Sequence, residues 1–155
     1  MQKTNVIRIL EAKKIPHTIH SYKVDEKDLS GVAVAKKLGA DNELVFKTLV
    51  ATGDKTGINV FCIPVIYELN FNKAAVASNN KKIEMVKVKE LFHLTGYIRG
   101  GCSPLGMKKH YPIFIEETAQ LFDKIYISAG IRGLQIFISP IDLKETTGAS
   151  FVELI

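Results

Sequence analysis

The chain is short of the residues on which several kinds of protein chemistry depend. It has two cysteines in 155 residues, Cys62 and Cys102, too few for a disulfide framework, so a reduced, cytoplasmic setting is expected. It has no tryptophan and four histidines, His17, His20, His93 and His110. His17 and His20 stand three apart in a segment that reads as extended, so they fall on opposite faces and cannot share a metal. Neither H-E-x-x-H nor C-x-x-C spacing occurs, and no metal site or cofactor is expected. Apolar runs are short: none approaches the ~18 residues of a membrane span. The opening MQKTNVIRILEAKKIPH alternates charged and apolar residues and lacks the apolar core of a signal peptide. There is no phosphate-cradling G-x-x-x-x-G-K-[S/T], and SAGIRG at 128–133 lacks the spacing of a dinucleotide-binding loop.

What is present suits one soluble domain over residues 1–155. Hydrophobic residues make up 46% and charged residues 24%, near the averages for globular chains long enough to bury a core. Lysine and arginine number 21 against 16 acids, a net charge of +5. The lysines recur in pairs at 13–14, 36–37, 81–82 and 108–109. That pattern suits a polyanion such as RNA, although a single pair is ordinarily a solvated helix face.

The periodicity predicts short helices and strands without regular βαβ alternation, hence a mixed α+β fold. Thr4 caps a helix running to Lys14, Pro16 stops it, and 17–22 is extended. A helix over 30–38 closes at Gly39, strands over 44–50 and 58–65 form a hairpin, and Asn70 caps a helix through Ala77. The SNNKK that follows reads as loop. A helix over 88–95 ends at Gly96, strands are expected over 112–116, 124–128 and 134–139, and Ser139-Pro140 opens a helix. Residues 151–154 close the sheet.

Two features carry chemical interest. In LVFKTLV, strand alternation sets Val45, Lys47 and Leu49 on one face and Leu44, Phe46, Thr48 and Val50 on the other. Both faces are mainly apolar, so Lys47 is either a buried ammonium in need of an anion or an edge lysine reaching water. The second feature is GYIRGGCSPLGMKK at 96–109, where four glycines stand among basic residues. Its consecutive N–H groups at Gly100, Gly101 and Cys102 can form an anion nest or an oxyanion hole, or the glycines can serve only a tight turn. Cys102 has no base that spacing identifies, and Cys62, within VFCIPV, reads as core.

Taken in order, FKTLV at 46–50, GYIRGGCSPLGMKK at 96–109 and SAGIRGLQIFISPIDL at 128–143, with HSYKVD at 20–25 and DLSG at 28–31, resemble the YbaK/ProX-type aminoacyl-tRNA deacylases. The GGCSPLGMKK form is most similar to the branch that edits cysteinyl-tRNA. The resemblance implies a single-domain fold with a barrel-like mixed sheet. It also implies removal of cysteine from Cys-tRNA(Pro), and from Cys-tRNA(Cys), with no cofactor. Lys47 matches the family's essential lysine, and Gly100-Gly101 the segment whose backbone lines the carbonyl site. Tyr22 matches a substrate-facing tyrosine, and Ser128 and Asp142 match later pocket positions. Arg99, Lys108 and Lys109 are expected to face the tRNA. The substrate's own sulfur would attack its ester, releasing tRNA and a thiolactone, which explains the lack of a protein nucleophile. Two other readings share these motifs: hydrolysis of Ala-tRNA(Pro) by water, and a tRNA-binding module without turnover. The partners implied are the acceptor end of tRNA and prolyl-tRNA synthetase, with the chain a monomer or weak homodimer.

Overall fold

Capping side chains and left-handed glycines punctuate residues 3–155, which the computed structural model describes. Helix α1 (Asn5–Ala12) starts where Thr4 Oγ1 accepts the Ile7 N–H at 3.2 Å, and it buries Val6, Ile7 and Leu10. Strand β1 (His17–Ser21) follows, then α2 (Gly31–Leu38) between the Ser30 cap and Gly39, whose φ is 67°. Strands β2 (Phe46–Gly53) and β3 (Gly57–Pro64) make the expected hairpin. Asn70 caps α3 (Phe71–Ala77), β4 (Ile83–Met85) leads to α4 (Val88–Thr95), and Gly96 ends α4 at φ 84°. Strand β5 (Ile113–Glu116), a 3-10 turn (Glu117–Leu121), β6 (Ile125–Ser128) and β7 (Leu134–Ile138) come next. Helix α5 (Pro140–Thr147) and β8 (Ser150–Val152) complete the order.

The strands form two sheets, β1-β7-β6 and β4-β2-β3-β5-β8. They touch through one parallel bridge, Val45 to Tyr126, so the expected barrel-like sheet is realised as two ladders hinged at the start of β2. Apolar residues between them, among them Val6, Leu10, Phe46, Val50, Val60, Ile115, Ile127 and Ile136, make the main core. A second cluster sits beneath α3, around Phe61, Ile63 and Ala74. A third joins α2 to the hinge through Ala35, Val45 and Val65.

Two departures from expectation share one cause. The hairpin strands extend to Gly53 and from Gly57, and the SNNKK loop is followed by a strand, β4, where no element was expected. Asn80 Oδ1 accepts the N–H groups of Lys55 and Thr56 at 2.8 and 2.9 Å. Asp54 Oδ1 accepts those of Lys81 and Lys82 at 2.9 and 3.0 Å. These side-chain bonds fasten 80–82 to the hairpin tip and deliver Ile83–Met85 to the edge of β2. Among the described residues, no helix is long and apolar enough to cross a membrane.

Candidate functional site

Where the two sheets diverge, β2 loses its neighbour. Its odd residues point their backbone groups to β3, as the Val65 N–H to Val45 carbonyl bond of 2.8 Å shows. Its even residues point the other way. Leu44 accepts from Tyr126 of β6 at 2.9 Å, and Val50 accepts from Val86, just beyond β4, at 3.2 Å. Between these anchors Thr48 pairs with Cys62 of β3 alone, at a position where strand alternation turns its N–H and C=O away from β3. A cleft of about 720 Å³ opens against this gap.

Other segments wall the cleft, among them the β3–α3 connection with Val65 and Glu68. The start of α2 contributes Ser30, Gly31 and Val32, and the β4–α4 connection contributes Met85, Val86 and Val88. The glycine loop contributes Arg99, Gly100 and Cys102, and the β6–β7 ladder contributes Ser128 and Gln135, which pair across the strands. Lys47 lies half-buried on the face of β2 shared with Val45 and Leu49; among the described residues its ammonium has no ion pair or hydrogen bond to protein. Both faces of β2 were expected to be buried here, but Lys47, Thr48 and Leu49 are only half-buried because the cleft takes the place of a neighbouring element.

The loop's glycines have separate reasons. Gly100 has φ of 85°, which a side chain disfavours. Gly101 is buried: a Cβ there would lie 3.1 Å from Ile131 Cα and 3.2 Å from Arg132 N. Its N–H, expected to face a substrate carbonyl, closes a turn onto the Ile98 carbonyl at 3.0 Å. Arg132 Nε donates to the Arg99 carbonyl at 2.8 Å and fastens the loop to the 130–133 turn. The N–H groups of Gly100 and Cys102 make no backbone or side-chain bond among the described residues, and both residues line the cleft.

Thus Lys47, Gly100, Ser128 and Arg99 converge, and other expected residues do not. Tyr22 follows β1, where its N–H donates to the Gly133 carbonyl at 3.0 Å, and it is not among the cleft walls. Asp142 sits in the first turn of α5, its N–H capped by Ser139 Oγ at 3.4 Å, also outside the cleft. Lys108 and Lys109 are exposed beyond the loop, Lys108 Nζ lying 5.7 Å from the Phe92 ring centre. Sequence reasoning passed over Gln135. Gln135 is 5% exposed, its Oε1 has no partner among the described residues, and it lines the cleft. A buried amide acceptor without a partner costs about 1–3 kcal/mol, a cost a bound N–H or O–H donor removes. The available signal was a lone polar residue in the apolar strand LQIFI.

The cleft holds one thiol, and burial pushes the Cys102 pKa up to about 12, so it is protonated at neutral pH and a poor nucleophile. Cys62 lies fully buried in the main core, its pKa likewise raised to about 12. Glu68 is the one carboxylate along the cleft walls. The site can therefore position a ligand, stabilise negative charge from N–H groups and one ammonium, and exclude water, with no side chain suited to covalent attack.

Residues 27–146 match the model of the aminoacyl-tRNA editing domain. A protein of Enterococcus faecalis (strain ATCC 700802 / V583), EbsC, whose name proposes Cys-tRNA(Pro)/Cys-tRNA(Cys) deacylase activity, is 46% identical over 153 residues, 99% of this chain and 93% of that one. Two crystal structures share the fold at 21% identity. One, described as a proposed trans-editing enzyme for prolyl-tRNA synthetase, superposes with a TM-score of 0.83 over 99% of this chain and 98% of its own. The other, a hypothetical protein, has a TM-score of 0.85 over 96% and 99%. With its cleft, its motifs and this near full-length match, the chain belongs to the aminoacyl-tRNA editing domain family.

Proposed function

We propose that this protein is a trans-editing deacylase that removes cysteine from Cys-tRNA(Pro), and from Cys-tRNA(Cys), using the substrate's own sulfur. The observation that carries the reading is a positioning cleft without a competent protein nucleophile: its only thiol is held protonated by burial. A synthetase pocket separates amino acids of similar size by only ~10–200-fold, so a second checkpoint is the expected remedy. The name of the 46% identical relative supports cysteine as the amino acid.

In this mechanism the cysteine sulfur attacks its ester carbonyl carbon. The S–C bond forms as the thiol proton leaves, the C–O bond to the terminal ribose breaks, and that oxygen takes up a proton. The products are uncharged tRNA and a cyclic thiolactone, which water then opens to cysteine. Holding sulfur and carbonyl together supplies effective molarities of ~10⁵ M or more. The N–H groups of Gly100 and Cys102 face the developing oxyanion. Gly101 acts indirectly, by allowing the loop to lie on the 131–132 backbone. Lys47 holds the terminal nucleotide or the reacting ester, and Ser128 and Gln135 on the same wall hold the ribose hydroxyls. Arg99 at the rim, with exposed Lys108 and Lys109, takes the acceptor-stem phosphates. Tyr22 and Asp142 join the site only if the tRNA end extends past the cleft walls. Prolyl-tRNA synthetase is the natural partner, in the cytoplasm, for a monomer or weak homodimer.

The test is a single-turnover assay on Cys-tRNA(Pro) and Ala-tRNA(Pro), with a mass-spectrometric search for the thiolactone. Cysteine released through thiolactone is the expected result. Alanine released as the free acid with cysteine untouched assigns the protein to a water-using reaction, and bound but intact substrates make it a non-catalytic module.

A further inference from the structure

We propose that the unpaired edge of β2 at Thr48 is the aminoacyl subsite, where the charged residue docks as a one-residue antiparallel β-bridge. This rests on the reading of the cleft as an aminoacyl-tRNA site. The gap in pairing is bounded on the same edge by Tyr126 bonded at Leu44 and Val86 bonded at Val50. From Phe46 to Val50 it spans about 13 Å at the ordinary rise of a strand. That is too short for a further strand of normal length, and Thr48 stands at its centre with N–H and C=O turned outward. Open edges within a folded protein are normally covered, because buried peptide groups need partners.

An aminoacyl ester carries what a single strand residue carries. Its α-ammonium is a donor, its ester carbonyl is an acceptor, and in the extended form both point to the same side. Opposite Thr48, the ammonium donates to the Thr48 carbonyl and the Thr48 N–H donates to the ester carbonyl oxygen. That oxygen becomes anionic when sulfur attacks, so the Thr48 N–H meets it from the sheet while Gly100 and Cys102 approach from the loop. The arrangement gives the ammonium an acceptor in a cleft whose walls carry one acid, Glu68.

Pairing also fixes handedness. Directly opposed residues in an antiparallel pair project their side chains to the same face. An L-residue therefore sends its side chain to the Phe46 and Val50 face of β2, where Val86, Leu91 and Cys102 pack. A D-residue sends it to the Lys47 face. Backbone pairing reads an amino acid without reference to its side chain, so size selection is left to that apolar wall.

The deciding experiment removes one N–H. The Thr48 amide is replaced by an ester, using the α-hydroxy analogue of threonine and nonsense suppression, and single-turnover deacylation of Cys-tRNA(Pro) is compared with the wild-type chain. We expect a fall of about 100-fold, the usual loss for one oxyanion donor, with the melting temperature within a few degrees because strand alternation turns this N–H away from β3 and Thr48 has no ladder partner on its other side. The same replacement at Leu49, whose N–H belongs to the β3 ladder, should lower the melting temperature instead. A tRNA carrying 3-mercaptopropionate, which keeps the sulfur and ester but lacks the ammonium, should react slowly with wild type. If the ester chain does not fold, Thr48→Pro removes the same N–H from an edge position that tolerates proline. Undiminished turnover in a folded variant lacking this N–H overturns the bridge and leaves the deacylase reading standing. An inactive wild-type protein overturns the deacylase reading, and the bridge with it.

Discussion

Gly31 opens α2 and forms part of the cleft wall, and its hydrogen side chain is a steric necessity. A Cβ at this position would lie 2.2 Å from Val65 Cγ1 and 2.6 Å from Val65 Cβ, against an ordinary carbon–carbon separation of about 3.5–4.0 Å. Rotating Val65 moves Cγ1 but leaves Cβ in place. Val65 is 7% exposed, and its N–H is bonded to the Val45 carbonyl at the hinge of the two sheets. Helix α2 must therefore lift by more than an ångström in Gly31→Ala. Overpacking of this kind costs about 1–3 kcal/mol, or roughly 2–12 °C in melting temperature for a chain of this size. The same lift carries Ser30 and Val32 away from the cleft, so kcat/KM on Cys-tRNA(Pro) should fall about tenfold or more, as positional errors near 1 Å do. Thermal unfolding by circular dichroism and single-turnover kinetics read the two effects separately. Val65→Ala combined with Gly31→Ala should restore only part of the loss, since the valine Cβ remains, whereas Val65→Gly should restore more. A Gly31→Ala protein with wild-type melting and wild-type turnover would refute the argument.

Lys47→Met should reduce deacylation at least ~100-fold while changing stability by under about 1 kcal/mol, because Lys47 has no ion partner to lose among the described residues; near-normal turnover would end its assigned role. Cys102→Ala retains the backbone N–H and removes a thiol that burial keeps protonated, so turnover should stay within about threefold of wild type, and an inactive variant would restore a protein-thiol mechanism. Gln135→Leu should gain about 1 kcal/mol of stability by removing an unpartnered buried acceptor and should raise KM, as measured by denaturant unfolding and steady-state kinetics. Stability should also fall in alkali. The Cys62 thiol ionises near its ordinary value of 9.0 when unfolded but near 12 when buried. Between those limits the unfolded state holds fewer protons, so each unit of rising pH costs up to about 1.4 kcal/mol for this group. The loss is absent below about pH 9, and Cys62→Ala should lessen it while leaving the share of Cys102, whose thiol burial raises likewise; equal slopes in both proteins would disprove the assignment.

Local chemistry was legible in the sequence because it acts over a few residues. Thr4, Ser30, Asn70 and Ser139 each accept the N–H three residues on, and Gly39 and Gly96 end helices in the left-handed region, as their side chains or lack of one dictate. The alternation of LVFKTLV set the Lys47 face correctly. The motifs at 46–50, 96–109 and 128–143 were sufficient to mark the family. The tertiary structure alone decided what those motifs do to one another. Strand β4 exists because Asn80 and Asp54 bind backbone 24 to 28 residues away in the chain, a separation no local pattern encodes. Gly101 is glycine because the 131–132 backbone lies against it, and its N–H is spent on Ile98. Gln135 stands at the cleft because β6 and β7 set it opposite Ser128. The free edge at Thr48 arises because β4 and β6 meet β2 at different heights, so the space left for a ligand is a property of three strands together and of no one segment.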